Sequence, residues 1–160
     1  MRIFILAFIL LFGKKPFEIK STDFANGNQI QFKFTCDGQN LSPSLVFANP
    51  PKKTKSFALI MDDTESPNGE FVHWVLFNIP AEITKIEENS SVGIQGKNSL
   101  GQNKYFGPCP PNGIHTYNFK LYALDIMLPI TKDAGKKELI DALKGHILGE
   151  CVLKGTYKRH

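Results

Sequence analysis

The chain has 160 residues, of which 42% are hydrophobic and 21% are charged, and its formal net charge is +4. This length and hydrophobic content suit one globular domain and exclude a disordered chain or a coiled coil. The charge is too small to indicate nucleic-acid binding, and the 13 Gly, 10 Pro and 13 Phe favour strands and turns over a helical bundle.

In residues 1–12, one Arg is followed by an almost unbroken apolar run, and two Lys come soon after this run. The run is shorter than the roughly 20 apolar residues that span a bilayer. Its order of charged and apolar residues is typical of a secretory signal peptide, although no A-x-A cleavage pattern follows. We therefore expect residues 1–20 to be a leader and residues 21–160 to be one exported domain (periplasmic or secreted) with no integral membrane span. If the leader is retained, the run is instead a buried N-terminal strand of a cytoplasmic protein.

The first segment after the leader is predicted to be a β-hairpin. The Asn-Gly pair at residues 26–27 is a strong signal for a two-residue turn within residues 17–34. Ile30, Phe32 and Phe34 alternate with polar residues, which is the pattern of a half-buried strand.

Three more strands are predicted from the next part of the chain. Residues 36–47 supply a turn and a short strand, and residues 56–63 form an apolar strand that ends in two acids. Residues 71–80 are apolar on both faces, so this strand is expected at the centre of a sheet.

The second half is predicted to contain a long irregular segment, two strands and one helix. Residues 81–106 are rich in Gly, Asn and Ser, and loops of this length are usually functional or mobile. Residues 116–125 and 150–158 have strand-like patterns. The helix is predicted over residues 136–147, with Asp133 as its N-cap and Gly145 or Gly149 at its end. Its apolar stripe consists of Leu139, Ile140, Leu143 and Ile147. Together these elements predict a mostly antiparallel β-sandwich with one or two helices near the C-terminus.

The three cysteines, Cys36, Cys109 and Cys151, form no C-x-x-C pair, which excludes a zinc ribbon or a thioredoxin motif. In an oxidising compartment two of them could form a disulfide. The sequence does not fix the pair. Cys36 with Cys151 is weakly favoured because both lie in strand-like segments, and three free thiols are the alternative.

Polar residues at the ends of the apolar strands predict a binding site. His73 lies inside an apolar strand and needs a partner there, because burying an unpartnered imidazole is costly. Asp62 and Asp63 end the preceding strand. Residues 107–113 (GPCPPNG) form a proline-stiffened turn whose remaining amide groups are suited to hold an anion.

Two segments, DDTESPNGEFVHWVLFNIP and GPCPPNGIHTYNFKLYALD, resemble the phosphatidylethanolamine-binding protein family, and in particular its bacterial and archaeal Raf-kinase-inhibitor-like branch. The resemblance implies a β-sandwich with a small pocket for phosphate-like anions or phospholipid headgroups, with no cofactor and no enzymatic activity. The ligand-binding positions that it implies are Asp63, Glu65, His73, Gly107, Cys109, His115 and Tyr117. The chain departs from the family pattern at three positions, Thr64, Glu65 and Thr116, where the family has Pro, Asp and Arg.

The implied site is expected to supply hydrogen-bond donors to an anion. A histidine beside an anion and a carboxylate should have a raised pKa, so a phosphate compound should bind more tightly at pH 6 than at pH 8. Asp63 would then orient a histidine or meet the ammonium group of phosphoethanolamine.

Two other functions remain open from the sequence. Asp63, Glu65, His73 and His115 are acceptable zinc ligands, so the alternative is a metal-dependent hydrolase. The surface could also modulate a kinase or a protease, as the family resemblance permits. The oligomeric state, monomer or homodimer, is not determined.

Overall fold

A computed structural model of the chain describes Gly13 and residues 15–159. In this part of the chain it contains eight strands, one α-helix and a one-turn 3-10 helix. They are β1 (Glu18–Ser21), the 3-10 helix (Phe32–Phe34), β2 (Leu45–Ala48), β3 (Ser56–Asp63), β4 (Phe71–Pro80), β5 (Lys85–Ile86), β6 (Ile94–Gln95), β7 (Ile114–Leu124), α1 (Lys136–Leu143) and β8 (Ile147–Lys158). Within these residues, no helix is long and apolar enough to cross a lipid bilayer.

The strands form two antiparallel sheets. The small sheet has the order β1-β2-β5, and the large sheet has the order β6-β4-β3-β7-β8. All eight residues of β3 are buried, because one face of the strand contributes to the core between the sheets and the other lies under α1. The predicted fold, mostly antiparallel β with a helix near the C-terminus, is confirmed.

Two apolar clusters hold these layers together. The core between the sheets includes Phe34, Phe57, Leu59, Trp74 and Phe119. The second cluster joins the outer face of the large sheet to α1 through Ile60, Val75, Phe77, Leu139 and Leu143. Side chains alternate between the two faces of a strand, so neighbouring residues on β3 and β7 enter different clusters.

The end of β3 is the point where the fold assembles polar groups. Asp63, its last residue, pairs across the sheet with Phe71 at the start of β4 and with Tyr117 near the start of β7. Three strand ends therefore meet at one rim of the large sheet, beside the proline-rich loop that precedes β7.

The predicted hairpin over residues 17–34 is wrong. β1 pairs with β2, and the segment after the Asn-Gly turn lies beside β8, where the Ile30 amide donates to the Thr156 carbonyl at 2.8 Å. Residues 32–34 form the 3-10 helix instead of a strand, with Phe34 buried and Phe32 exposed. Phe32 and Phe34 therefore do not share a face, because a 3-10 helix has three residues per turn rather than the two-residue period of a strand.

The weakly favoured disulfide between Cys36 and Cys151 is also wrong. Cys36 bonds to Cys109, with the two Cα atoms 5.4 Å apart, and Cys151 is the free thiol. The 3-10 helix brings Cys36 against the proline-rich loop, where its amide donates to the Pro108 carbonyl at 3.1 Å.

The helix is shorter than predicted. α1 ends at Leu143, and Gly145 adopts the left-handed conformation that terminates it (φ +80°), so this predicted terminator is confirmed. Gly135 occupies the N-cap position, whereas the predicted N-cap Asp133 pairs with Lys97 at 3.1 Å. Ile147 belongs to β8 and is exposed.

The predicted leader covers residues 1–20. Residues 1–12 and 14 lie outside the described residues, so the leader stays a prediction. Glu18, Ile19 and Lys20 are described, and they are paired with β2 as part of β1.

Candidate functional site

The carboxylate of Asp63 joins the turn after β3 to the start of β7 at the rim. Its Oδ2 accepts a hydrogen bond from Nδ1 of His115 at 2.7 Å, and its Oδ1 accepts one from the Glu65 amide at 2.8 Å. Both side chains of the Asp63–His115 pair are almost fully buried. Asp63 therefore fixes the orientation of the His115 ring and the turn that follows β3.

The hydrogen bonds of the two histidines fix their tautomers. Nδ1 of His73 lies 2.7 Å from the Phe106 carbonyl oxygen, and a carbonyl can only accept, so Nδ1 carries the proton. The same reasoning applies to His115, whose Nδ1 faces the carboxylate of Asp63. In the neutral form of each ring, Nε2 is therefore an acceptor.

The pKa of His73 is lowered. Burial has the largest effect and outweighs the hydrogen bond to the Phe106 carbonyl and the charge of Asp63, both of which raise the pKa. His73 is therefore neutral at pH 7 in the ligand-free protein, and a raised pKa beside a bound anion stays a prediction.

Aromatic rings surround His73. The ring centroid of Phe71 lies 4.7 Å from that of His73, and Phe106 stacks on His73 at 5.9 Å with an angle of 12° between the planes. Phe71 and Phe106 are themselves 6.0 Å apart. We refer to Phe71, His73 and Phe106 as the aromatic cage.

The cage forms the wall of a cavity of about 70 Å³, which is small beside the roughly 300–1,000 Å³ of pockets for drug-sized ligands. Its volume suits a small polar ligand rather than a drug-sized one. The residues that line it are Asp63, Ser66, Phe71, His73, Phe106, Cys109 and Pro111.

A buried hydroxyl group lies next to this cavity. Tyr117 is fully buried, and its ring meets His73 edge to face at 5.2 Å. Its oxygen forms no hydrogen bond of normal geometry with any of the described residues. Burial and the charge of Asp63 raise the pKa of Tyr117, while the nearby Cys109 amide lowers it less, so the hydroxyl stays protonated. A buried polar group without a well-formed hydrogen bond typically costs about 1–3 kcal/mol, so this hydroxyl is a candidate contact for a ligand.

The structure brings the predicted site residues together in two layers. Asp63, His73 and Cys109 line the cavity. His115 and Tyr117 lie behind it, in contact with Asp63 and His73 respectively.

Two of the predicted site residues have structural roles. Glu65 accepts a hydrogen bond from the Thr116 amide at 2.5 Å. The Gly107 amide donates to Oδ1 of Asn40 at 2.7 Å. A Cβ at position 107 would lie 2.3 Å from the Phe34 carbonyl oxygen, so glycine is required there for close packing.

Four cavity residues are absent from the sequence-based prediction, namely Ser66, Phe71, Phe106 and Pro111. Phe71 lies two residues before His73 on the same strand, so strand alternation could have placed both side chains on one face. Phe106 has no comparable signal, because only the path of the preceding irregular segment brings it against His73.

The described residues contain no group of three or more His, Cys, Asp or Glu side chains that could hold a metal ion. The four residues of the metal-site alternative are bonded to different partners. Asp63 pairs with His115, while Glu65 and His73 bond to backbone groups of other residues. The donor set needed for the alternative, a metal-dependent hydrolase, is therefore not assembled in the described part of the chain.

Comparisons with known proteins agree with this fold. The family model described as phosphatidylethanolamine-binding protein matches residues 20–158. A UPF0098 protein from Methanothermobacter thermautotrophicus is 43% identical over 89% of this chain and 99% of its own length. A crystal structure titled as a putative phosphatidylethanolamine-binding protein homolog, CT736 from Chlamydia trachomatis, has a TM-score of 0.87 at 33% identity, over 90% of this chain and 98% of its own. The E. coli YbcL structure has a TM-score of 0.83 at 27% identity, over 90% of this chain and 99% of its own.

Proposed function

The chain belongs to the phosphatidylethanolamine-binding protein family, and we propose that it is a non-enzymatic binding protein for phosphoethanolamine, either as a phospholipid headgroup or as the free compound. The ligand site is the cavity at the aromatic cage. The observation that carries the proposal is the buried hydroxyl of Tyr117 beside this cavity, which forms no hydrogen bond of normal geometry with the described residues although the Cys109 amide lies near it.

The cage favours the ammonium group of the ligand. Three aromatic rings with a carboxylate beside them are the arrangement that attracts an organic cation, through the negative faces of the rings and the charge of Asp63. The neutral His73 adds an acceptor nitrogen, which an ammonium group can bond. A bare phosphate dianion in the same position would be repelled by Asp63.

The other polar groups of the cavity can bind the phosphate. Ser66 supplies a hydroxyl donor, and the Cys109 amide of the proline-rich loop lies beside the Tyr117 hydroxyl. Tyr117 can donate to a phosphate oxygen or accept from the ammonium group, and either bond would satisfy its hydroxyl. These pairings explain why a zwitterionic ligand suits the site better than either of its two charged groups alone.

The proposal is tested by titrating the protein with O-phosphorylethanolamine in a calorimeter, with inorganic phosphate and ethanolamine as the two fragments. We expect the zwitterion to bind at least about tenfold more tightly than either fragment, because it uses both sets of contacts. Tyr117→Phe should weaken binding about five- to tenfold, the value of one hydrogen bond to a charged group. The ligand-free variant should be at least as stable as the wild type, because it no longer buries an unpartnered hydroxyl.

Tyr122→Phe is the matched control, since Tyr122 is on the same strand but on the opposite face, under α1. It should leave binding unchanged. Equal affinity of the wild type and Tyr117→Phe for O-phosphorylethanolamine would contradict the proposed site, and so would the absence of any binding by the wild type.

Export of the protein remains part of the proposal. The Cys36–Cys109 disulfide supports it, because structural disulfides persist in oxidising compartments and are rare in the cytosol. Modulation of a kinase or a protease stays a prediction, because no feature of the described surface specifies such a partner.

A further inference from the structure

A second cavity lies on the other side of the segments that carry His73 and Phe106. These two residues line the cavity at the aromatic cage, and the Phe106 amide donates to the His73 carbonyl at 3.0 Å. Their chain neighbours Trp74 and Tyr105 instead line the second cavity, because successive side chains of an extended chain point in opposite directions. The volume of the second cavity is about 200 Å³, against about 70 Å³ at the cage.

Polar groups dominate the lining of the second cavity. Besides its two aromatic rings, the lining consists of three serines, three side-chain amides and one lysine. The amides are those of Asn40, Asn89 and Gln95, and the lysine is Lys104. We refer to the space bounded by these four residues as the polar cleft. None of the carboxylates in the described part of the chain lines it, so Lys104 gives the cleft a positive charge.

Donor groups fix the orientation of two of the amides. Nε1 of Trp74 donates to Oε1 of Gln95 at 2.9 Å, and the Gly107 amide donates to Oδ1 of Asn40 at 2.7 Å. Both partners are N–H groups, which can only donate, so an amide oxygen must face each of them. The NH2 groups of Gln95 and Asn40 are therefore left for the cleft, and neither donates to another described residue.

The ammonium group of Lys104 is available to a ligand. The side chain is exposed, and it forms no ion pair with any residue that the structure describes. By contrast, Lys97 in the same segment pairs with Asp133 at 3.1 Å. An anion in the polar cleft would thus gain the charge of Lys104 without displacing a carboxylate.

The polar cleft is formed before a ligand binds. The Asn89 amide donates to the Ser42 carbonyl at 2.9 Å, which joins two of the loops that line the cleft. Trp74 and Tyr105 meet edge to face, with their ring centroids 5.4 Å apart, and both rings are buried. Because the donors are held in place by these contacts, a ligand would lose little of its binding energy to ordering the site.

We propose that the polar cleft is a second ligand site, which binds a small anion through a phosphate, sulfate or carboxylate group. Lys104 supplies the opposite charge, and the NH2 groups of Gln95 and Asn40 donate to the anionic oxygens. Hydrogen bonds to a charged acceptor are roughly twice as strong as those between neutral groups, so a neutral polyol should bind more weakly. This site is separate from the aromatic cage and does not depend on its proposed function.

The test is an NMR titration of the isotope-labelled protein with sulfate, glycerol phosphate and acetate, and with glycerol as the neutral ligand. We expect at least one anion to shift the side-chain NH2 resonances of Gln95 and Asn40, and glycerol to shift neither. Gln95→Glu keeps an oxygen that accepts from Trp74 but replaces the donor with a charged acceptor, so it should weaken anion binding at least about tenfold. Lys104→Gln should weaken it about tenfold, and Lys104→Arg should restore it.

Lys97→Gln is the matched control, because it removes one positive charge near Gln95 from a lysine that does not line the polar cleft. It should bind the anion like the wild type. The His73 resonances report the aromatic cage, and their response to O-phosphorylethanolamine should be the same in Gln95→Glu and the wild type.

Three results would overturn the second site while leaving the proposal for the cage intact. They are the absence of any anion-induced shift at the two amides, equally strong shifts with glycerol and glycerol phosphate, and equal losses in Lys104→Gln and Lys97→Gln. Loss of the His73 response in Gln95→Glu would show that the two cavities are not separate sites, which also overturns the proposal.

Discussion

Asp62 and Asp63 are consecutive residues of β3, but their carboxylates belong to regions with different chemistry. Asp62 points under α1, where its Oδ2 accepts hydrogen bonds from Lys120 at 2.6 Å and Lys136 at 2.7 Å. Asp63 points to the rim, where it pairs with the ring of His115 beside an open cavity. Strand alternation alone separates the two side chains.

The difference shows how a carboxylate with a structural role can be distinguished from one that is arranged to bind a ligand. The network around Asp62 is balanced, because Lys136 also pairs with Glu70 and the two ammonium groups face two carboxylates. A fully paired buried network joins α1 to the sheet and has little capacity left for a ligand. The region of Asp63 combines a cavity, an aromatic cage and an unpartnered hydroxyl, so its polar groups are arranged for a molecule from outside.

The largest expected effect is on the rim side, where the only disulfide among the described residues lies. The bond between Cys36 and Cys109 closes a loop with a sequence separation of 73 residues. Cys36→Ser/Cys109→Ser should lower the free energy of unfolding by about 3–4 kcal/mol and weaken O-phosphorylethanolamine binding, because the cavity loop is no longer tied to the 3-10 helix. Urea unfolding and calorimetry would measure the two effects. The control Cys151→Ser should leave ligand binding unchanged, and unchanged binding in the double variant would show that the loop needs no covalent tie.

The second prediction concerns the Asp62 network. Asp62→Asn leaves Lys120 and Lys136 facing each other without the shared carboxylate, and breaking a buried ion pair typically costs about 3–5 kcal/mol. Because both lysines are partly exposed, we expect about 2–3 kcal/mol by urea unfolding, with affinity for O-phosphorylethanolamine within twofold of the wild type. A large loss of affinity in a variant of normal stability would show that the two faces of β3 are not independent.

Asp63→Asn should weaken ligand binding, which Asp62→Asn leaves nearly unchanged, and it should lower stability less than Asp62→Asn does. The amide oxygen can still accept from the Glu65 amide, but the NH2 group would then face Nδ1 of His115, which can accept from it only as the Nε2–H tautomer, so we expect a loss of about 1–2 kcal/mol in the free energy of unfolding. The lost charge should weaken O-phosphorylethanolamine binding about tenfold, which corresponds to about 1.4 kcal/mol. Inorganic phosphate should not be weakened, because it gains nothing from Asp63. Equal losses for both ligands would argue against an ammonium group at the cage.

The sequence alone predicts β3 and β4, the two strands that carry Asp62, Asp63 and His73. β3 and β4 have the predicted bounds, Ser56–Asp63 and Phe71–Pro80, because each is an apolar run bounded by turn residues. The motifs around them also identify Asp63, His73 and Cys109 as cavity residues.

The partners of these residues could not be predicted in the same way. Lys136 is 74 residues from Asp62 in the sequence, and only the packing of α1 on the sheet brings the two together. Likewise, Cys36 bonds to Cys109 because a one-turn helix replaces the predicted strand. No local pattern of apolar residues distinguishes such a short helix from a strand. The tautomers and the lowered pKa of His73 depend on burial and on the position of the Phe106 carbonyl, which are tertiary features.

The residues at the rim and those under α1 should also differ in the pH range over which they affect the free energy of unfolding. Burial lowers the pKa of His73, so the unfolded chain binds this proton more readily than the native protein does. Stability should therefore decrease as the pH falls below about 6.5, the ordinary pKa of histidine, and the decrease should be smaller in His73→Gln.

Burial raises the pKa of Asp62, but Lys120 and Lys136 together lower it more. The stabilisation that Asp62 provides is therefore present above its usual pKa of 3.8 and is lost as the pH falls below that value. Urea unfolding from pH 7.5 to pH 3 would resolve the two ranges, and Asp62→Asn should lack the second.

The smallest expected effect is the pH dependence of ligand binding, and its sign distinguishes two functions of His73. If neutral His73 accepts from the ammonium group, protonation of the ring below its lowered pKa replaces an acceptor with a positive charge, and O-phosphorylethanolamine should bind more weakly toward acid pH than at pH 7.5. If protonated His73 instead donates to the phosphate, as the sequence alone suggests, binding should tighten over the same range. Because the phosphate itself titrates near pH 6, the informative quantity is the difference between the wild type and His73→Gln, measured by calorimetry at each pH. A difference that grows in favour of the wild type toward pH 5 would therefore overturn the assignment of the ammonium group to the cage.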